Sequence, residues 1–84
     1  MRLTFTDEAW DDYLYWFNTN PKVARKIHAL LKDALRHPGE GLGKPELLSQ
    51  NLSGHWSRRI DHENRLVYRV LEDELLVVSA RFHY

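Results

Sequence analysis

The chain has no cysteine, which excludes disulfide staples and thiolate metal ligands alike. Long apolar runs are also missing: stretches such as "LLVV" fall far below the ~20 residues a membrane-spanning helix needs. The first ten residues, "MRLTFTDEAW", carry charge where a secretory signal requires an unbroken apolar stretch. A cytoplasmic protein with no membrane role is therefore expected. There is no net charge either, since twelve Lys and Arg balance twelve Asp and Glu. That excludes a bulk polyelectrolyte binder of the histone kind. Lysine is absent beyond Lys44, and every later cation other than histidine is an arginine.

What is present suits one small domain covering residues 1–84. Three Trp, four Tyr and three Phe supply much of its apolar volume. The charge is unevenly spread. Residues 1–20 carry one Arg against four acids, residues 21–45 six Lys or Arg against two acids, and the remainder five Arg against six acids. Opposed patches of this kind allow an anionic ligand on one face and other contacts elsewhere.

"MRLTF" alternates and reads as a short strand. Thr6 is a suitable N-cap for a helix with Asp7 and Glu8 in its first turn, and Trp10, Tyr13, Leu14 and Phe17 recur at its apolar spacing. Asn20 caps a second helix that has Pro21 at its first position. Its apolar stripe is Val23, Ile27, Leu30, Leu31 and Ala34, with Lys22, Arg25, Lys26 and Lys32 mostly off it. "HPGEGLG" then stops the helix.

Beyond Leu47 the texture changes to strands: "GHWSRRI", "NRLVYRVL" and "ELLVVSARFHY", separated by the polar turns "DHEN" and "ED". This is the spacing of an antiparallel meander. The expected fold is α+β in the order β-α-α-β-β-β, with room for one extra short strand and both helices on one face of a mostly antiparallel, twisted sheet. Strand parity places Trp56, Ile60, Leu66, Tyr68, Val70, Leu76, Val78, Ala80 and Phe82 on the core face if no bulge intervenes. The opposite face then gathers Arg59, Arg65, Arg69, Arg81 and His83. Arg58 breaks the even pattern and is expected near an edge.

Three features invite a functional reading. "GEGLGKPE" fails as a phosphate loop, because Pro45 stands where Ser or Thr must meet magnesium and the segment follows a helix. Two readings remain for it: an exposed turn, or a bend at Gly41 and Gly43 that carries Glu46 to the sheet. His28, His37, His55 and His62 show no ligand spacing, and neither a metal nor any other cofactor is expected. The arginines of one sheet face are either solvated charges or a phosphate-binding set, for which planar guanidinium groups are suited.

Quoted together, "WDDYLYW", "GKPELL", "NLSGHWSRRID", "ENRLVYRV" and the terminal "FHY" closely resemble the YoeB toxins of the RelE superfamily, across nearly the whole chain. The resemblance implies a RelE-like fold and the toxin of a type II toxin–antitoxin system. It further implies ribosome-dependent, metal-independent cleavage of mRNA in the A site of the 70S ribosome, blocking translation. By motif, Glu46 is implied as general base, Arg65 as transition-state stabiliser, His83 as general acid and Tyr84 as a residue that orients the substrate. Arg59 is implied as an RNA contact, and Lys44 and Arg81 are expected to join it. The implied partners are a YefM-like antitoxin, mRNA with the ribosome, and a second copy of the chain. Exposed aromatics among Trp10, Tyr13, Tyr15 and Trp16 would contribute to such a homodimer.

This sequence also departs from the family pattern. Asn64 stands where His is common, Ser49 where a basic residue is common, and Ala80 where Cys is common. A different outcome on the same scaffold is a non-catalytic ParE-like toxin that poisons DNA gyrase by protein contact. Such a toxin has no need of Glu46, Arg65, His83 and Tyr84 together.

Overall fold

A computed structural model describes residues 1–49 and 52–82. The elements are β1 (Arg2–Phe5), α1 (Asp7–Thr19), α2 (Pro21–Arg36), β2 (Glu46–Leu47), β3 (His55–Arg59), β4 (Arg65–Leu71) and β5 (Glu74–Ser79). The expected extra short strand is β2. The five strands form one mixed sheet in the order β1-β5-β4-β3-β2, with β1 parallel to β5 and the other neighbours antiparallel. Among the described residues no helix is long and apolar enough to cross a membrane.

Both helices start as their caps dictate. The Thr6 hydroxyl accepts from the Ala9 N–H at 3.1 Å, and the Asn20 side chain accepts from Val23 N–H ahead of Pro21 at N1. Ile27, Leu30, Leu31 and Ala34 of α2 pack with Ala9 of α1 onto Ile60, Leu66, Tyr68, Leu75, Val77 and Ala80 of the sheet side. The stripe read for α2 is the buried one. For α1 it is not: Trp10 and Phe17 are about half exposed, at 48% and 57%. Tyr13 of that stripe does pack against the core, joined by Ala9 and Trp16 in place of Trp10 and Phe17. Trp10 stacks on Tyr13 and meets Phe5 edge-on, so these rings build an aromatic ridge along the outside of the helix.

The parity reading holds in β3 and in β4 as far as Tyr68, whereas Val70 near the end of β4 is 38% exposed, and it inverts in β5. The two-residue turn Glu72–Asp73 pairs Leu71 with Glu74, so even positions of β4 face odd positions of β5. Cross-strand partners share a sheet face, and Leu75 and Val77 therefore fill the core in place of Leu76 and Val78. A bulge at Val78 then shifts the register: Val67 pairs with Ser79, whereas Tyr68 pairs with Val77. This returns Ala80 to the core side, where it is fully buried.

β5 also ends sooner than "ELLVVSARFHY" suggests. It stops at Ser79, and the chain then turns, with Phe82 in the left-handed region at φ +64°. Helix α1 clasps the turn: the Ala80 N–H donates to Asp12 Oδ2 at 2.9 Å, and the Trp16 indole donates to Ala80 O at 2.8 Å.

Arg58 does not lie near an edge. It is fully buried, and all five of its N–H donors are used. Nε donates to Tyr68 Oη, one terminal nitrogen to Asp33 Oδ2 and Leu42 O, and the other to His37 O and Glu40 O, all between 2.6 and 2.9 Å. One guanidinium thus ties the segment after α2 onto β3. Burial acts to lower its pKa, but the bonds to Tyr68 and Asp33 more than offset this and raise it.

Candidate functional site

The site grows from the β3–β4 hairpin. Arg59 and Arg65 are direct register partners at its closed end, followed and preceded by the turn residues Ile60 to Asn64. Asp61 shapes that turn by accepting from the N–H groups of Glu63 and Asn64 and from the Asn64 side chain. Burial opposes ionisation of its carboxyl, but these donors prevail and hold it below the usual carboxylate range.

The segment after α2 folds back against this hairpin. Gly43 and Lys44 both take positive φ, +77° and +52°, and the Arg59 N–H donates to Gly43 O at 2.7 Å. The glycines therefore form the bend that brings Glu46 to the sheet, opposite Ser57. Between this bend, the hairpin turn and α2 lies a cleft of about 500 Å³, lined by Lys26, Gly43, Lys44, Arg59, Ile60, Asp61, His62 and Arg65. Four full cations and a histidine face one carboxylate there. The Arg65 Nε is buried and has no hydrogen-bond partner among the described residues. An unpartnered buried donor in a cationic cleft is suited to an anionic oxygen from outside.

Glu46 does not line the cleft. It is exposed on the edge strand β2 and belongs to the register row Glu46–Ser57–Val67, on the same face as Arg59 and Arg65 but one row away. Strand spacing and rise put the Glu46 and Arg65 backbones on the order of 12 Å apart.

Of the sequence-predicted residues, Lys44, Arg59 and Arg65 are brought together, with Glu46 on the adjoining edge. Arg81 is not part of the cleft lining. Its guanidinium lies over the Tyr15 ring of α1, 3.6 Å from the centroid, and near the Phe82 ring. This corrects the expectation of four arginines sharing one face, because β5 has already ended at Ser79. His83 and Tyr84 lie outside the described residues.

Lys26 and His62 also line the cleft, although the sequence pattern marks them only as an off-stripe helix residue and a surface histidine. Lys26 sits one turn before Leu30, the residue that touches Gly43. That neighbourhood exists only after the glycine bend closes on α2, so local pattern carried no signal for it. Among the described residues no three His, Asp or Glu side chains gather as metal ligands would.

Comparison with known proteins agrees with this architecture. Residues 5–84 match the family model described as "YoeB-like toxin of bacterial type II toxin-antitoxin system". The chain is 55% identical to Toxin YoeB of Escherichia coli K12 over the full length of both. Among solved structures, a YoeB/ParE toxin from Agrobacterium tumefaciens superposes with a TM-score of 0.98 at 46% identity, covering both chains completely. The YoeB–YefM complex from Staphylococcus aureus gives 0.91 at 45% identity, covering 100% of this chain and 98% of the other.

Proposed function

This chain belongs to the YoeB-like toxins of bacterial type II toxin–antitoxin systems, and from that premise we propose that it is an endoribonuclease that cleaves mRNA in the ribosomal A site. The observation that carries the reading is the cationic cleft in which Arg65 presents a buried Nε, without a partner among the described residues, beside Arg59 and Lys44. A phosphodiester placed there would complete the hydrogen bonding of Arg65.

The chemistry uses the RNA's own 2′-OH as nucleophile. Glu46 takes the 2′ proton, and the 2′ oxygen bonds to phosphorus. Arg65 meets the charge that grows on the non-bridging oxygens. As the bond from phosphorus to the 5′ oxygen breaks, His83 protonates that oxygen, leaving a 2′,3′-cyclic phosphate and a free 5′-OH. Tyr84 orients the substrate, and Arg59, Lys44 and Arg81 are read as RNA contacts. Each proton transfer to or from a placed side chain is worth about 10²–10⁴-fold. In-line placement of the RNA by the ribosome supplies several kcal/mol more. The local concentration of cations in one cleft lets a chain of zero net charge act on RNA without a basic surface. The solved YoeB–YefM complex of the relative supports a YefM-like antitoxin as the cognate partner here.

The test is cleavage of a defined mRNA in a reconstituted translation reaction, with and without ribosomes, comparing the wild type with folded Arg65→Ala and His83→Ala variants. Ribosome-dependent cuts with cyclic-phosphate ends, lost in both variants, are the expected result. A folded wild type that leaves mRNA intact while inhibiting DNA gyrase would replace this reading with the ParE-like one.

A further inference from the structure

The segment beyond β5 has left the sheet, yet its backbone is held at two points. α1 holds Ala80 as described above. Two residues later the Phe82 N–H donates to Asn64 Oδ1 at 2.7 Å, and the Phe82 carbonyl accepts from the Arg65 N–H at 2.7 Å. Phe82 sits at φ +64°, a conformation that a bulky residue keeps only when its surroundings fix it. Its ring, 64% exposed, does little of that fixing. The two hydrogen bonds are what hold it.

Asn64 is suited to the task. It is buried, at 9% exposure, and its Nδ2 donates to both oxygens of Asp61, at 3.0 and 3.2 Å. A carboxylate can only accept, so the amide must turn its nitrogen to Asp61 and its oxygen to Phe82. The cleft wall at Asp61 thereby fixes the orientation of Asn64, and Asn64 fixes Phe82 beside Arg65.

We propose that Asn64 is a positioning residue for the reaction: it fixes the backbone of Phe82, the residue before His83 in the sequence, against the backbone of Arg65. The role rests on the endoribonuclease reading, in which His83 and Tyr84 take part. Asn64 touches no substrate in this scheme. The charged and titratable groups of its own hairpin are Asp61, which it touches, His62 and Glu63 in the same turn, Arg65 next in the chain and Arg59 opposite Arg65.

Two variants separate positioning from folding. Asn64→Ala removes the acceptor, and a displacement on the order of 1 Å at a reacting group costs up to about 10²-fold. Asn64→His restores the pair in one protonation state only. A neutral imidazole offers one donor for Asp61 and one acceptor for Phe82, whereas the protonated ring offers donors on both sides. The reaction to use is ribosome-dependent mRNA cleavage followed from pH 5.5 to 8, alongside hydrogen exchange of the Phe82 amide. For Asn64→Ala the expected result is a kcat lowered roughly 10–100-fold with KM within about twofold, together with faster exchange at Phe82. For Asn64→His, activity relative to wild type is expected near one at pH 8 and to fall about tenfold or more once the ring protonates, near pH 6.5 or above because Asp61 favours the cation. A purely structural role would lower Tm and depress activity evenly across pH. Should Asn64→Ala fail to fold, the pH profile of Asn64→His decides alone.

Wild-type kcat in folded Asn64→Ala, or a flat Asn64→His ratio across pH, would overturn the role of Asn64 while leaving the nuclease intact. A wild type that cuts no RNA under any of these conditions would remove the nuclease reading, and this role with it.

Discussion

Arg59 and Arg65 stand directly opposite one another across β3 and β4, and neither has a carboxylate within 4 Å among the described residues. Like charges in register cost a sheet stability, by an amount comparable to the ~0.2–1 kcal/mol that favourable pairs contribute. Folding alone gives no reason for the arrangement, whereas a bound phosphate does. Arg59→Gln should therefore leave Tm unchanged or raise it by up to a few degrees, as a gain of about 0.5 kcal/mol would in a domain of this size. The same variant should cut mRNA at least about tenfold more slowly, the cost of one lost charge-assisted hydrogen bond. Thermal unfolding beside the cleavage assay checks both halves. A clear fall in Tm would mean that Arg59 serves the fold and not the ligand.

Binding to single-stranded RNA should carry the electrolyte signature of the cleft. Each phosphate neutralised contributes roughly −0.7 to the slope of log K against log salt concentration, so four cations predict a slope near −3. Lys26→Gln should flatten that slope by about 0.7 with little effect on stability, because Lys26 is exposed on α2. Fluorescence anisotropy with a short labelled RNA at several salt concentrations gives the number. An unchanged slope would take Lys26 out of the interface.

Fully buried Arg58 and partly exposed Asp33 together tie the segment after α2 to β3. Replacing Arg58 with Met should destabilise the domain by about 3–5 kcal/mol, since it strands Asp33, the Tyr68 hydroxyl and three backbone carbonyls without their donor. The bond from Arg58, helped by the Leu42 N–H, holds the Asp33 carboxyl below its usual value of 3.8. A depressed folded-state pKa contributes stability that is present above the unfolded value and lost as pH falls through the folded one. Denaturation midpoints should accordingly drop below about pH 4, and that drop should shrink in Asp33→Asn. An identical acid limb in the variant would assign the effect to other carboxylates.

Much of this was legible in the residues. Thr6 and Asn20 marked both helix starts because capping is local chemistry, and the stripe of α2 was read correctly because nothing interrupts its period. Lys44, Arg59 and Arg65 were found by motif, and the cleft brings them together. What failed depended on relations between elements. The face of Leu75 and Val77 is set by the pairing across a two-residue turn, which parity counted along the chain does not contain. The exposure of Trp10 and Phe17 depends on how α1 lies on β5. Arg58 looked misplaced because its five acceptors come from residues 10 to 25 positions away. No window of sequence joins Asn64 to Phe82.

Gly43 tests whether the bend, and not only the charges, makes the site. A Cβ there would come within 2.8 Å of Leu30 Cδ2 and 3.0 Å of Arg59 O, and φ is +77°. The leucine methyl can yield by a rotamer change, but the Arg59 carbonyl belongs to a paired strand and cannot. Gly43→Ala therefore combines backbone strain with a contact against β3, a cost of roughly 1–3 kcal/mol. Relief requires the loop to lift, which lengthens the 2.7 Å bond from the Arg59 N–H to Gly43 O and moves Lys44 and Glu46 away from Arg65. Cleavage should fall by more than the stability loss explains, even at temperatures where the variant is fully folded. Exposed Gly54 is the control: its φ is also positive, at +87°, but a Cβ there meets nothing within 4 Å. Gly54→Ala should lose stability from the backbone term alone and keep its activity. Equal losses of cleavage in the two folded variants would show that the approach of the bend to β3 is not what places Glu46.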